Sequence, residues 1–99
     1  MIKMIQVQEE FRKDLESAAK VLTEGGCKEV FVHGAVAAGT AKDHYDLDLA
    51  VRGCPPDQFF KLVGTLLGEL EHNFQLVNLD WNNRMTKQIE KFGGLKRVK

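Results

Sequence analysis

Phe31-Val32-His33-Gly34-Ala35, separated by ten residues from Asp46-Leu47-Asp48-Leu49-Ala50-Val51, is the stretch on which the fold turns. The second segment alternates polar and apolar with the period of a strand, so Asp46 and Asp48 are expected on one face and Leu47, Leu49 and Val51 on the other. Two carboxylates about 6.5 Å apart along a strand repel unless water or a cation screens them. A hard cation such as Mg²⁺ would resolve that conflict, and an exposed strand face with two solvated aspartates is the plainer alternative.

Upstream, Val30-Phe31-Val32 is an apolar, β-rich run that stops at Gly34, and Gly39 closes the small-residue segment Gly34-Ala35-Val36-Ala37-Ala38-Gly39. Such a segment lets backbone N–H groups approach a phosphate closely. Glycine permits the tight turn, and the Ala-rich piece after it reads as the first turn of a helix whose N-terminus attracts anions. Gly34, Ala35 and Gly39 are therefore the candidate nucleotide-binding positions, against the alternative of an ordinary strand-to-helix turn.

Together these residues resemble the signature of the DNA polymerase β-like nucleotidyltransferase superfamily: an apolar residue, Gly, Gly or Ser, a gap of about ten residues, then Asp-apolar-Asp or Glu. The similarity is strongest to the small prokaryotic minimal nucleotidyltransferases. Their motif commonly reads Gly-Ser-x-Ala-Arg-Gly-Thr-Ala and then Ser-Asp-Leu-Asp-Leu, against Gly34-Ala35-Val36-Ala37-Ala38-Gly39-Thr40-Ala41 and Tyr45-Asp46-Leu47-Asp48-Leu49 in this chain. The resemblance implies a polymerase β palm-like α+β fold with a small mixed sheet of three to four strands. It further implies Mg²⁺ or Mn²⁺ on Asp46 and Asp48, ATP or another nucleoside triphosphate as substrate, and a helical partner of the HEPN type in a toxin–antitoxin pair. Some relatives transfer AMP to a tyrosine on that partner.

Departures from the pattern bear on activity. Ala35 stands where the family usually has Ser or Gly, and Ala38 where a basic residue is frequent. A lost hydroxyl contact is worth about 1 kcal/mol and a lost charge-assisted one about 1.5 to 3 kcal/mol, so nucleotide binding would be weakened, with the backbone donors of Gly34 and Ala35 remaining. The family's third carboxylate falls on a later strand, here Phe74-Gln75-Leu76-Val77-Asn78-Leu79-Asp80. Aligning the pattern sets Gln75 at the third catalytic position and Asn78 at the next acidic one. Asp80 is the alternative, but five residues of strand span about 16 Å, so the two assignments exclude each other. Gln75 is the preferred assignment. A glutamine carbonyl can ligate a metal but cannot take a proton at neutral pH, and loss of a general base typically costs about 10² to 10⁴ in rate. Whether the chain is an enzyme is therefore left open: a nucleotidyltransferase, or a degenerate module that binds a helical partner without catalysis. Read structurally, Asp80 is a helix N-cap ahead of Trp81.

Fourteen basic and fourteen acidic residues cancel across 99 residues, which argues against nonspecific nucleic-acid binding and against an anionic membrane surface. The 43% apolar content suits one modest core, so residues 1–99 are read as a single domain. Lys96-Arg97-Val98-Lys99 reads as a solvated basic tail. Cys27 and Cys54 lack Cys-x-x-Cys spacing, and neither a signal peptide nor a membrane-spanning stretch is apparent, so reduced thiols in a cytoplasmic protein are expected. His33, His44 and His72 show no zinc-ligand spacing with those cysteines; His33 and His44 are candidates to lie near the loop, and the preferred alternative for His44 is an exposed residue of the turn Lys42-Asp43-His44.

The element order expected is αβ(α)βαβα. Residues 8–24 set Phe11, Leu15, Ala18, Ala19 and Leu22 on one helical face ahead of Gly25-Gly26. Strands are expected at 28–33, 45–52 and 74–79, a helix opened by Pro55-Pro56-Asp57 to about residue 72, and a last helix over 82–92. The stripe Phe59, Phe60, Val63, Leu66, Leu67, Leu70 is wider than a three-stranded sheet needs. The surplus is available for a partner or a second copy.

Overall fold

Phe11, Leu15, Ala18, Ala19 and Leu22 recur at three- and four-residue spacing, and they form the buried stripe of helix α1, Glu9–Glu24. The computed structural model describes residues 8–42 and 44–99; Asp43 of the expected Lys42-Asp43-His44 turn lies outside them. Strand β1 (Glu29–Val32) leads into the short helix α2 (Gly34–Ala38), and β2 spans Leu47–Arg52. Helix α3 (Phe59–Glu69), strand β3 (Phe74–Asn78), a 3₁₀ turn (Leu79–Trp81), helix α4 (Arg84–Phe92) and strand β4 (Lys96–Arg97) follow. Among the described residues the architecture is mixed α+β, with four helices on a four-stranded mixed sheet in the order β3-β2-β1-β4. Strand β1 pairs antiparallel with β2 and with β4, and β2 pairs parallel with β3.

Strand alternation sorts the core into two layers. Val30, Val32, Leu47, Leu49 and Val51 face α1 and α3, while Phe31, Ala50 and Val77 face Ile89 of α4 and Leu95. Each of these valine, leucine and phenylalanine side chains, fully buried, stabilises the fold by roughly 1.5 to 3 kcal/mol. The same alternation turns Asp48 away from the α1/α3 layer.

Several elements depart from the expectation. Strand β2 starts at Leu47, leaving Asp46 exposed just ahead of it. Helix α3 starts at Phe59, because Pro55-Pro56-Asp57 is spent on a turn in which the Gln58 N–H donates to the Pro55 carbonyl at 3.0 Å. Helix α4 starts at Arg84, where Asn83 and Thr86 form a capping box. The C-terminal residues are no solvated tail: Lys96 and Arg97 pair with Val32 and Phe31, and Val98 is 1% exposed in the core. The outer edge of β1 offers unpaired N–H and C=O groups, and this segment takes them. Cys27 and Cys54, expected as free thiols, are joined in a disulfide. Cys27 lies two residues before β1 and Cys54 two residues after β2, so the antiparallel ladder brings them together.

The loop into β3 is anchored from α1. Asp14, 2% exposed, accepts the backbone N–H of Glu71 at 3.0 Å and of His72 at 2.7 Å, and contacts His72 Nδ1 at 2.8 Å. Burial alone would push the Asp14 carboxyl up, but these backbone donors and the His72 ring outweigh it and hold the group below the usual carboxylate range.

Candidate functional site

The β1–α2 junction is built around Gly34. Its φ of +69° is left-handed, and a β-carbon there would stand 2.6 Å from Asp48 Oδ2, so glycine is required both by conformation and by the neighbouring carboxylate. The His33 N–H donates to the Asp48 carbonyl at 3.0 Å, extending the β1–β2 ladder to the mouth of the loop. The Gly34 N–H, expected as a phosphate donor, instead donates to the Gly93 carbonyl at 2.9 Å and ties the loop to the segment after α4. Ala35, in the first turn of α2, has no preceding helical carbonyl for its N–H. Gly39 ends α2 in a left-handed conformation at φ +80°. No atom lies within 4 Å of where its β-carbon would sit, so its glycine answers to the helix end rather than to a close approach.

Asp48 is half-buried and Asp46 exposed. Burial pushes the Asp48 carboxyl above the usual carboxylate range; the His33 ring offsets part of this and the Asp46 charge adds to it. His33 is 8% exposed with Nε2 buried and without a hydrogen-bond partner among the described residues. Burial lowers the His33 pKa, against the opposing influence of Asp48 and of the Leu49 backbone, so the ring favours its neutral form. His44 is exposed in its turn, edge-on to Tyr45, and lines a separate cavity of about 460 Å³ with His72.

The parallel register pairs Asp48 with Gln75, so Gln75 and not Asp80 stands beside Asp48. Asp80 belongs to the far end of β2, where its carboxylate accepts the Gly53 N–H at 2.7 Å. It is no helix N-cap either: Asn78 caps the 3₁₀ turn and accepts the Asp80 N–H at 3.0 Å. No three His, Cys, Asp or Glu side chains among the described residues converge as a metal cage. The donor set on offer is two carboxylates and the Gln75 amide oxygen. That is all-oxygen and suits a hard cation such as Mg²⁺, which commonly takes one or two carboxylates and completes its shell with water and substrate phosphates.

Beside the loop opens a cavity of about 530 Å³. Ala35, Ala38 and Thr40 form one wall, and Phe92, Gly94 and Lys96 the other. Lys96 and Asp14 carried no site signal in the sequence. The first sits in a two-residue strand without periodicity, and the second occupies a core position of an amphipathic helix.

No family profile and no curated protein matches the chain. Among solved structures, the chain is similar to one described as "Crystal structure of the toxin-antitoxin with AMP-PNP". The TM-score is 0.67 at 19% sequence identity, covering 84% of this chain and 70% of the other. The likeness is one of fold, a small mixed α+β architecture. No helix among the described residues is long and apolar enough to cross a membrane.

Proposed function

We propose that this chain is a metal-dependent, nucleotidyltransferase-like member of a toxin–antitoxin pair that takes a nucleoside triphosphate and passes its nucleoside monophosphate to a hydroxyl on a helical, HEPN-type partner protein. The observation that carries the reading is Gly34 against Asp48: a left-handed glycine at the end of β1 opens space for a half-buried carboxylate beside a second one. That a similar fold has been solved as a toxin–antitoxin with AMP-PNP supports both the nucleotide and the protein partner.

Asp46 and Asp48 would hold Mg²⁺ or Mn²⁺, whose charge would neutralise the phosphates and stabilise the leaving pyrophosphate. This chain's own groups supply position. The acceptor oxygen attacks the α-phosphorus in line, its bond forming as the bond to pyrophosphate breaks. The acceptor's proton leaves to solvent, since Gln75 beside Asp48 has no basic oxygen to receive it. That amide favours a second reading, a degenerate module that holds nucleotide and partner without transfer.

Titration calorimetry with ATP and Mg²⁺ and transfer of labelled nucleotide onto the co-purified partner test the two. Mg²⁺-dependent binding lost in Asp48→Asn, together with transfer, supports the first reading. Binding without transfer supports the second, and transfer that survives in Asp46→Asn/Asp48→Asn overturns the first.

A further inference from the structure

The cavity beside Gly34 contains one charged lining residue, Lys96. Strand β4 holds it there: Lys96 pairs with Val32, two residues before Gly34, and the Gly34 N–H bond to the Gly93 carbonyl fixes the chain leading into β4. Nearby cations are committed elsewhere. Arg97 pairs with Glu29, and Arg52 with Glu29 and Glu90, whereas Lys96 forms no ion pair among the described residues.

The rest of the lining offers nothing to neutralise that ammonium. It consists of glycine backbone, alanine methyls, the Thr40 hydroxyl and the ring of Phe92. Gly34 lines this cavity and also lies against the Asp48 carboxylate, so the cavity and the carboxylates meet at one residue at the end of the sheet. A polyphosphate with a divalent cation near one end has the complementary charge order.

We propose that Lys96 is a phosphate-binding residue that anchors the polyphosphate chain in this cavity, with the Thr40 hydroxyl as a neutral donor beside it. This rests on the nucleotide reading of the site. A flexible ammonium donates to phosphate oxygens as a point charge, so arginine substitutes for it and methionine, of similar length, does not.

The test is calorimetric titration of ATP, ADP and AMP with MgCl₂ into wild type, Lys96→Met and Lys96→Arg, each first checked by thermal denaturation. The exposed side chain at 96 predicts unchanged folding. Lys96→Met is expected to weaken ATP binding on the order of 10- to 100-fold, to weaken AMP binding less, and to flatten the salt dependence, while Lys96→Arg stays near wild type. Wild-type binding matched by Lys96→Met overturns the role of Lys96 and leaves the nucleotide reading standing, as does an equal loss for AMP and ATP. A wild type that binds none of the three overturns both.

Discussion

Gly34 lies against Asp48 so closely that a β-carbon on residue 34 would stand 2.6 Å from Oδ2. Gly34→Ala therefore meets two obstacles. At φ +69° an alanine costs about 1 to 2 kcal/mol, and its methyl displaces the carboxylate that would hold the metal. The expected result is a loss of roughly 1 to 3 kcal/mol in urea denaturation together with loss of Mg²⁺-dependent ATP binding. Gly39→Ala is the control. Its φ of +80° carries a similar strain with no atom within 4 Å, so stability falls while binding persists.

Asp48 is predicted to cost the apo fold stability at neutral pH. Its folded-state pKa is raised, first by burial, so the native state holds the proton more tightly than the unfolded chain does. Stability attributable to this group is present at low pH and is lost as pH rises from the unfolded pKa through the higher folded one. Asp48→Asn removes that charge, and its thermal midpoint at pH 7 is expected to rise by a few degrees. Adding Mg²⁺ should raise the midpoint of wild type and leave the variant unmoved. A midpoint that falls on substitution contradicts the argument.

Gln75→Asp sets a third carboxylate opposite Asp48 in the β2–β3 register. Three charges at one sheet end repel, so the apo midpoint should fall, and Mg²⁺ should recover more of it than in wild type. If the missing base limits transfer, the rate should rise by up to about 10²-fold, measured with labelled ATP and the partner. Asp80→Asn should change neither metal response nor transfer, because Asp80 serves Gly53 at the far end of β2.

How much of this was legible in the sequence follows from how local each signal is. The period-two run Leu47–Val51 and the glycine after Val32 carry the β1–α2–β2 frame in adjacent residues, and the α1 stripe carries its own helix. The order αβ(α)βαβα was therefore readable. Strand β4 was not, because two residues have no period and only the unpaired edge of β1 recruits them. The same edge pairing brings Lys96 to the loop. The Gln75 position was legible through the spacing of the β3 pattern, whereas the Gly34 N–H bond to Gly93 depends on a chain reversal about 60 residues away that no local pattern encodes.

Asp14 is predicted to make stability depend on acid. Its folded pKa is lowered by the backbone donors of Glu71 and His72 despite burial, so its contribution is present above the unfolded carboxylate pKa and is lost as pH falls through the folded value. Asp14→Asn keeps one acceptor but cannot satisfy both N–H groups and the ring. A loss of roughly 1 to 3 kcal/mol at pH 7 is expected, shrinking as pH is lowered through the acid range. Urea midpoints measured from pH 7 to pH 3 test this, and a gap that widens toward low pH refutes it.

The Cys27–Cys54 bridge and the His33–Asp48 bond close opposite ends of the β1–β2 ladder, the first beside the Lys28 N–H to Arg52 carbonyl bond of 3.1 Å. The bridge spans 27 residues of sequence, for which loop closure in the unfolded chain corresponds to about 3.5 kcal/mol. Cys27→Ser/Cys54→Ser, or wild type in excess reductant, should lose stability of that order. Because the Gly34–Asp48 contact lies at the other end and is held there by the His33 N–H and by Gly93, ATP affinity below the new midpoint should match the oxidised protein. Nucleotide affinity that falls in step with reduction would instead mean that the ladder transmits strain along its length, and that the bridge governs the site as well as the fold.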